Sequence, residues 1–286
     1  MNKLLLLHKL QEFFLEDIGT GDVSAQLIGN ERTLAVLQAK EDGVFCGTEV
    51  LKEGYLLLDK SITFLFFVRD GEAVKAGDVL MEVKGPAQAI LAGERVLLNL
   101  VQRMSGIASA TKKACQLAGS NVRITDTRKT APGLRMFDKY AVTCGGGYSH
   151  RYGLYDGIML KDNHIAAFGS IANAIKAARA ASGHMTKVEV EIETYEQLQE
   201  AIQADADIIM FDNLQPEVIN EWLQVVPNHI ITEASGGITP ERLKQFGSTG
   251  VGYISLGYLT HSVKSLDISL TVKGAVKHDT VANVSK

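Results

Sequence analysis

The sequence predicts an α/β protein: a parallel α/β barrel after a first hundred residues that read differently. Three observations predict it. Beyond Ser120, short β-branched runs alternate with helical stretches at a spacing of about twenty residues, the rhythm of β/α units with short loops. Such units favour a parallel sheet covered by helices. The first hundred residues lack this rhythm and mix helical stretches with scattered strands and glycine turns. Finally, the polar residues of interest fall at the C-terminal ends of successive predicted strands, which in a barrel converge on one mouth.

The elements follow in order. Residues 1–108 form the N-terminal domain, with segment 266–286 returning to it, and residues 109–265 form the barrel. In the start, Met1 to Leu10, the run of four leucines Leu4–Leu7 is broken by His8 and Lys9. No small-residue cleavage site follows, so it reads as an amphipathic helix and not as a signal peptide. Asp17–Asp22 is a turn-rich loop. Strands are predicted at 33–39 and 62–68, with a helix over 47–58. The stretch Asp70–Leu80 resembles a biotinyl/lipoyl-type hairpin, but Lys75 lacks the exposed-tip context of a carrier lysine, so it reads as scaffold. A long helix spans 87–118. Barrel strands are expected at 122–127, 157–160, 187–192, 208–211, 230–234 and 253–256. Helices at 171–181, 194–203, 216–225 and 240–246 separate several of them.

Composition narrows the function classes. The chain has 286 residues, 46% apolar and 22% charged, with a formal net charge of −4. That balance argues against a nucleic-acid groove, which makes a domain basic. No stretch is long and apolar enough to span a bilayer. Cys46, Cys115 and Cys144 are odd in number and lack metal-type spacing, which points to a reducing cytoplasm.

Against this acidic background, cations crowd one window. Thr127-Arg128-Lys129-Thr130, His150-Arg151 and Lys161 suggest a site for a small, multiply anionic ligand. Arginine grips a carboxylate or phosphate through paired hydrogen bonds, and lysine acts as a point charge. A solvated surface, or ion pairs with Asp126, Asp138 and Asp162, is the plain alternative. In Val188-Glu189-Val190-Glu191-Ile192, period-two alternation sends both carboxylates to one face, the interior of a barrel. Their partner is Lys161, Lys187 or a magnesium ion, because buried acids need cations. Asp212 offers a second carboxylate at the same rim, and together with Glu191 it can hold magnesium and stabilise an oxocarbenium ion. Ser235-Gly236-Gly237 and Ser255-Leu256-Gly257 close the last strands, where small residues let backbone N–H groups approach a phosphate. Cys144 has no recognisable base, His150 and His164 lack a ligand repeat, and His150 reads as a donor to the anion. Lys161 as a Schiff-base lysine fits the crowd of cations less well than carboxylate binding does.

Taken together, these motifs resemble the quinolinate phosphoribosyltransferase family. The resemblance runs nearly end to end, through Asp17–Asp22, Glu94-Arg95-Val96-Leu97-Leu98-Asn99, Ser105-Gly106-Ile107-Ala108, Thr127–Thr130, His150-Arg151, Leu160–His164, Glu189-Val190-Glu191, Phe211-Asp212-Asn213 and Ala234–Ile238. It implies transfer of phosphoribosyl from 5-phosphoribosyl 1-pyrophosphate to quinolinate with decarboxylation, giving nicotinate mononucleotide. It also implies an incomplete, TIM-like α/β barrel with an N-terminal α+β sandwich domain, a magnesium ion, no organic cofactor, and a homodimer with shared sites, with higher assemblies left open. Arg95 would cross the dimer interface. Thr127, Arg128, Lys129, His150, Arg151 and Lys161 would bind the substrates. Glu191 and Asp212 would face the ribose and the metal, and would form the catalytic set with Lys129 and Lys161. Ser235, Gly236, Gly237, Ser255, Leu256 and Gly257 would hold the 5-phosphate. A molybdenum-transport-associated paralogue and a non-catalytic anion-binding barrel are the rival readings; the full set of cations and the paired acids argue against them.

Overall fold

The computed structural model describes residues 1–24, 27–28 and 31–275, which divide into two compact units. The first unit comprises residues 1–109 and the segment from Lys264 onward. It opens on α1 (Lys3–Ile18), whose N-terminus is capped by the Asn2 side chain accepting from the Leu4 and Leu5 N–H groups. Then come β1 (Arg32–Ala39), β2 (Gly43–Val44), α2 (Thr48–Leu58), β3 (Thr63–Phe66), β4 (Ala73–Val74), β5 (Val79–Pro86) and the 32-residue α3 (Ala87–Ala118). In β1 every second residue is buried, as expected of a strand with one face on a core. Asp70 Oδ1 accepts from the Gly47 and Thr48 N–H groups and so starts α2. Gly106 is tied to its place: a Cβ there would meet the Lys264 carbonyl oxygen at 2.1 Å.

The hairpin expected at Asp70–Leu80 is not formed. The turn is present, with Asp78 N–H donating to the Lys75 carbonyl at 3.0 Å, but the strands on either side enter different sheets. β4 pairs with β2, and β5 pairs with β1 and β3. Asp42 secures the turn by accepting from Lys75 Nζ and from the Ala76 N–H.

The second unit, Ala110–Val263, holds the parallel sheet. Its elements are β6 (Arg123–Thr125), α4 (Arg135–Cys144), β7 (Ile158–Leu160), α5 (Asp162–Phe168), α6 (Ile171–Ala181), β8 (Val188–Ile192), α7 (Tyr195–Gln203), β9 (Ile208–Asp212), α8 (Pro216–Trp222), β10 (Ile231–Ser235), α9 (Leu243–Gly247), β11 (Tyr253–Ser255) and α10 (Tyr258–His261). A last strand, β12 (Ile268–Ala275), pairs antiparallel with β1 in the first unit. Residues 276–286 lie outside the described residues.

The six parallel strands run in the order β6-β11-β10-β9-β8-β7, so the chain leaves one edge, jumps to the other and walks back. No strand pairing joins β6 to β7 among the described residues. An irregular segment occupies part of that seam: Tyr148 bridges Thr125 in parallel, and Arg151 Nη1 donates to the Gly157 carbonyl at 3.1 Å. This is the incomplete barrel that the family resemblance implies. Val188, Val190, Ile192, Ile209, Phe211, Ala234 and Ile254 face the helices and are almost fully buried. A buried Val, Leu or Ile is worth about 1.5–3 kcal/mol, so this layer fixes strand register. The alternate residues therefore project into the barrel, where the polar side chains collect. Sharp helix starts keep the connections short. Thr194 and Gln197 form a reciprocal capping box at α7, and Ser170 Oγ accepts from the Asn173 N–H at α6.

Candidate active site

The C-terminal strand ends enclose a cavity of about 340 Å³ whose walls include Thr127, Arg128, Lys129, Arg151, Lys161, Glu191, Asp212 and the Ser235–Gly237 loop. A neighbouring cavity of about 290 Å³ continues across Ser235–Gly237 to Ser255–Gly257 and His261. Most wall residues owe their place to a strand, and Arg151 to the irregular segment between α4 and β7. Arg128 and Lys129 leave β6, Lys161 leaves β7, Glu191 lies on β8, Asp212 ends β9, Ser235 ends β10 and Ser255 ends β11. The structure thus brings together every sequence-predicted site residue of the second unit. Arg95 lies in the first unit, exposed on α3.

The cations are mostly unneutralised. Among the described residues, no carboxylate pairs with Arg128, Lys129 or Arg151, and the buried Nε of Arg128 has no hydrogen-bond partner. Burial pulls the Arg151 guanidinium below its ordinary pKa, and the neighbouring Arg128 charge adds to this. Cations held close together in this way are complementary to an anion. Lys161 is the exception: its Nζ is bonded to Glu191 Oε1, not to Asp162. Burial raises the pKa of Glu191, against the Lys161 bond and with the help of the Asp212 and Glu189 charges. Asp212 Oδ2 accepts from Asn213 Nδ2 at 2.8 Å.

The Ser235–Gly237 loop requires glycine. Gly236 sits at φ +86°, and a Cβ on it would meet Asn213 Oδ1 at 2.2 Å and the Asn213 backbone nitrogen at 2.6 Å. Only glycine lets the two loops approach so closely while keeping left-handed backbone. Lys129 is placed from behind, since Thr260 Oγ1 donates to its carbonyl at 2.8 Å.

A buried layer lies beneath the cations, and much of it escapes sequence reasoning. Lys139 and Asp126 form an ion pair at 2.5 Å with both side chains fully buried. The same Asp126 oxygen accepts the His150 N–H at 2.9 Å, and Lys139 Nζ donates to the His150 carbonyl at 3.0 Å. His150 Nε2 lies 3.4 Å from Glu189 Oε2 and 3.5 Å from Glu233 Oε1, while its Nδ1 accepts the Arg151 N–H at 2.8 Å. Both ring nitrogens therefore have protein partners, which the reading of His150 as a donor to the anion did not anticipate. Glu233 went unnoticed although alternation in Ile231–Ser235 puts it on the same face as Ser235. Burial, then the Glu189 charge, pushes its pKa up to about 7. Burial works against protonation of His150, yet the Glu189 bond and the two carboxylate charges outweigh it and raise the ring's pKa. His164 is no partner for His150, because its Nδ1 accepts the Lys161 N–H at the start of α5.

The comparisons with known proteins accord with this geometry. The family model for the quinolinate phosphoribosyl transferase C-terminal domain matches residues 107–271, and the one for its N-terminal domain matches residues 22–105. The chain belongs to the quinolinate phosphoribosyltransferase family. Within it, the chain is 57% identical over 274 residues to a probable nicotinate-nucleotide pyrophosphorylase (carboxylating) of Bacillus subtilis (strain 168), covering 95% of each. It is 40% identical to a mitochondrial quinolinate phosphoribosyltransferase (decarboxylating) of Nicotiana glauca, over 90% of this chain and 79% of that one. The structure of the nicotinate-nucleotide pyrophosphorylase from Francisella tularensis superposes with a TM-score of 0.92 at 37% identity, covering 96% of this chain and 98% of the other.

Proposed function

We propose that this chain transfers phosphoribosyl from 5-phosphoribosyl 1-pyrophosphate to quinolinate and decarboxylates the product to nicotinate mononucleotide. The observation that carries the reading is the wall of Arg128, Lys129, Arg151 and Lys161 around one cavity, with Arg128 Nε buried and unpartnered. Quinolinate brings two adjacent carboxylates and its co-substrate several phosphate charges. A cationic wall overcomes their repulsion and fixes their orientation. The Ser235–Gly237 and Ser255–Gly257 loops suit the 5-phosphate, with Thr127 beside them. Quinolinate takes Arg128, Arg151 and Lys161.

Glu191 and Asp212 are hard oxygen donors on neighbouring strands, a set that fits magnesium with substrate oxygens completing its shell. Bound there, magnesium would neutralise pyrophosphate charge. The two carboxylates also face the region where positive charge grows at the anomeric carbon as the ring nitrogen attacks it and pyrophosphate leaves. The N-alkylated ring then holds the electron pair left by the departing carboxylate, so carbon dioxide leaves without an organic cofactor, and that ring carbon takes up a proton from solvent to give nicotinate mononucleotide. Residues 1–108 with 266–286, and 109–265, act as the two domains. Arg95 serves the neighbouring subunit of a homodimer, and the enzyme works in the cytoplasm. No helix of the described residues is long and apolar enough to cross a membrane.

Calorimetric titration tests the site. Quinolinate should bind once per chain, and nicotinate, with one carboxylate fewer, should bind at least about tenfold more weakly, the loss of one charge-assisted contact. Equal affinities would overturn the reading.

A further inference from the structure

The barrel interior holds a second cavity, of about 310 Å³, lined by residues at the N-terminal ends of the strands, including Lys187, Ile208, Ile231 and Tyr253. His150 and Arg151 line both this cavity and the cationic one. Glu189 and Glu233 also line the second cavity, are only 4% and 5% exposed, and each carries an oxygen without a hydrogen-bond partner. Two buried acids side by side cost stability. No step of the proposed reaction uses either one.

Their common neighbour is the His150 ring, whose two nitrogens are chemically distinct here. Nδ1 accepts the Arg151 N–H, so it must carry a lone pair. The ring proton is then on Nε2, which faces the two carboxylates. The same fact argues against a metal ion. The ligand atoms of His150, Glu189 and Glu233 lie within 4.8 Å of one another, close enough for a divalent cation. Metal on Nε2 would require the proton on Nδ1, where the Arg151 N–H already points.

We propose that Glu189 and Glu233 are positioning residues that fix the His150 ring as its Nε2–H tautomer, so that Nδ1 holds the Arg151 backbone and aims its guanidinium into the substrate cavity. The chain of contacts runs from Glu189 Oε2, 3.4 Å from Nε2, with the Glu233 charge beside it at 3.5 Å, through Nδ1 to the Arg151 N–H, and from Arg151 Nη1 to the Gly157 carbonyl. Asp126 and Lys139 grip the backbone of the same residue, so the ring is the remaining freedom. Without the carboxylates, only the Arg151 N–H favours a proton on Nε2 over one on Nδ1, and a proton on Nδ1 expels that N–H. The proposal rests on Arg151 being a quinolinate ligand.

The test compares the wild type with Glu189→Met/Glu233→Met, which keeps side-chain volume and removes both acceptors, and with Glu189→Gln/Glu233→Gln, which keeps neutral acceptors. Nitrogen-15 spectra of the histidine rings, with His150 assigned by its loss in His150→Gln, read the tautomer directly. The wild type should show an unprotonated, pyridine-type Nδ1. The methionine variant should lose that signature and bind quinolinate at least about tenfold more weakly, a modest fraction of what misplacing a binding group can cost. The glutamine variant should restore both. A protonated Nδ1 in the wild type, or wild-type quinolinate affinity in a folded methionine variant, would overturn the proposal. The ring spectra need no substrate, so failure of the wild type to form nicotinate mononucleotide would count against the enzymatic reading and leave the tautomer arm to decide this one.

Discussion

Lys161, just past the end of β7, is ion-paired to Glu191 on the adjacent parallel strand β8. The most obvious anion ligand of the cavity is therefore held by a carboxylate that is itself assigned to the ribose and the metal. Substrate charge and Glu191 compete for the same ammonium group. That gives Glu191 two opposing effects, one on binding and one on chemistry.

Glu191→Gln should separate them. Removing the charge releases Lys161, so quinolinate affinity should stay level or rise. Turnover should fall by about a hundredfold, because the carboxylate acts where positive charge develops at the anomeric carbon. Calorimetry gives the first quantity and a single-turnover experiment the second. Weaker quinolinate binding with undiminished turnover would reverse the assignment.

Arg128→Ala should weaken quinolinate binding by about 2–5 kcal/mol, the usual cost of stripping one partner from a desolvated charge contact. The fold should persist, since Arg128 lies in a loop between β6 and α4 and its buried Nε bonds no protein group. A titration of the folded variant with unchanged affinity would remove Arg128 from the site.

Glu233 makes stability depend on pH. Its folded pKa, about 7, lies above the ordinary 4.5, so the unfolded chain ionises first as pH rises. The stability present below about pH 4.5 is then lost as pH climbs through 7. Glu233→Gln mimics the protonated form and should be level with the wild type near pH 4.5. By pH 8 it should be more stable, by on the order of 2–3 kcal/mol. Denaturant midpoints at the two pH values measure this. A variant less stable than the wild type at pH 8 would contradict a strained, buried carboxylate.

Arg95 is predicted to act in the neighbouring subunit. Arg95→Ala and Lys161→Ala should each be nearly inactive alone. Mixed, they form heterodimers with both lesions in one site and the other site intact. Activity should climb toward about a quarter of wild type on random exchange in a C₂ dimer. Subunit exchange demonstrated by tagged pull-down without any gain in activity would place Arg95 within its own chain's site.

The barrel and its rim were legible in the sequence because both obey period rules. Alternation in Val188–Ile192 put Glu189 and Glu191 inside, and the strand ends named Arg128, Lys161, Asp212 and Ser235 in advance. What escaped has physical causes. α4 was missed because its apolar face, Met136, Phe137, Ala141 and Val142, is short and flanked by a basic run and by Gly145–Gly147. The partner of Asp126 is Lys139, buried on that helix, so the pairing could not be guessed from the cations near it in sequence. The hairpin at Asp70–Leu80 failed because turn chemistry fixes a turn and not which sheets its arms join.

The most direct test of the central claim follows both products of one reaction. The purified chain is given magnesium, 5-phosphoribosyl 1-pyrophosphate and quinolinate labelled in the carboxylate beside the ring nitrogen, with nicotinate in a parallel reaction. The account predicts labelled carbon dioxide and nicotinate mononucleotide in equal amounts, no product without the divalent ion, and little turnover of nicotinate. Comparable turnover of nicotinate, or nucleotide formed without carbon dioxide, would contradict it.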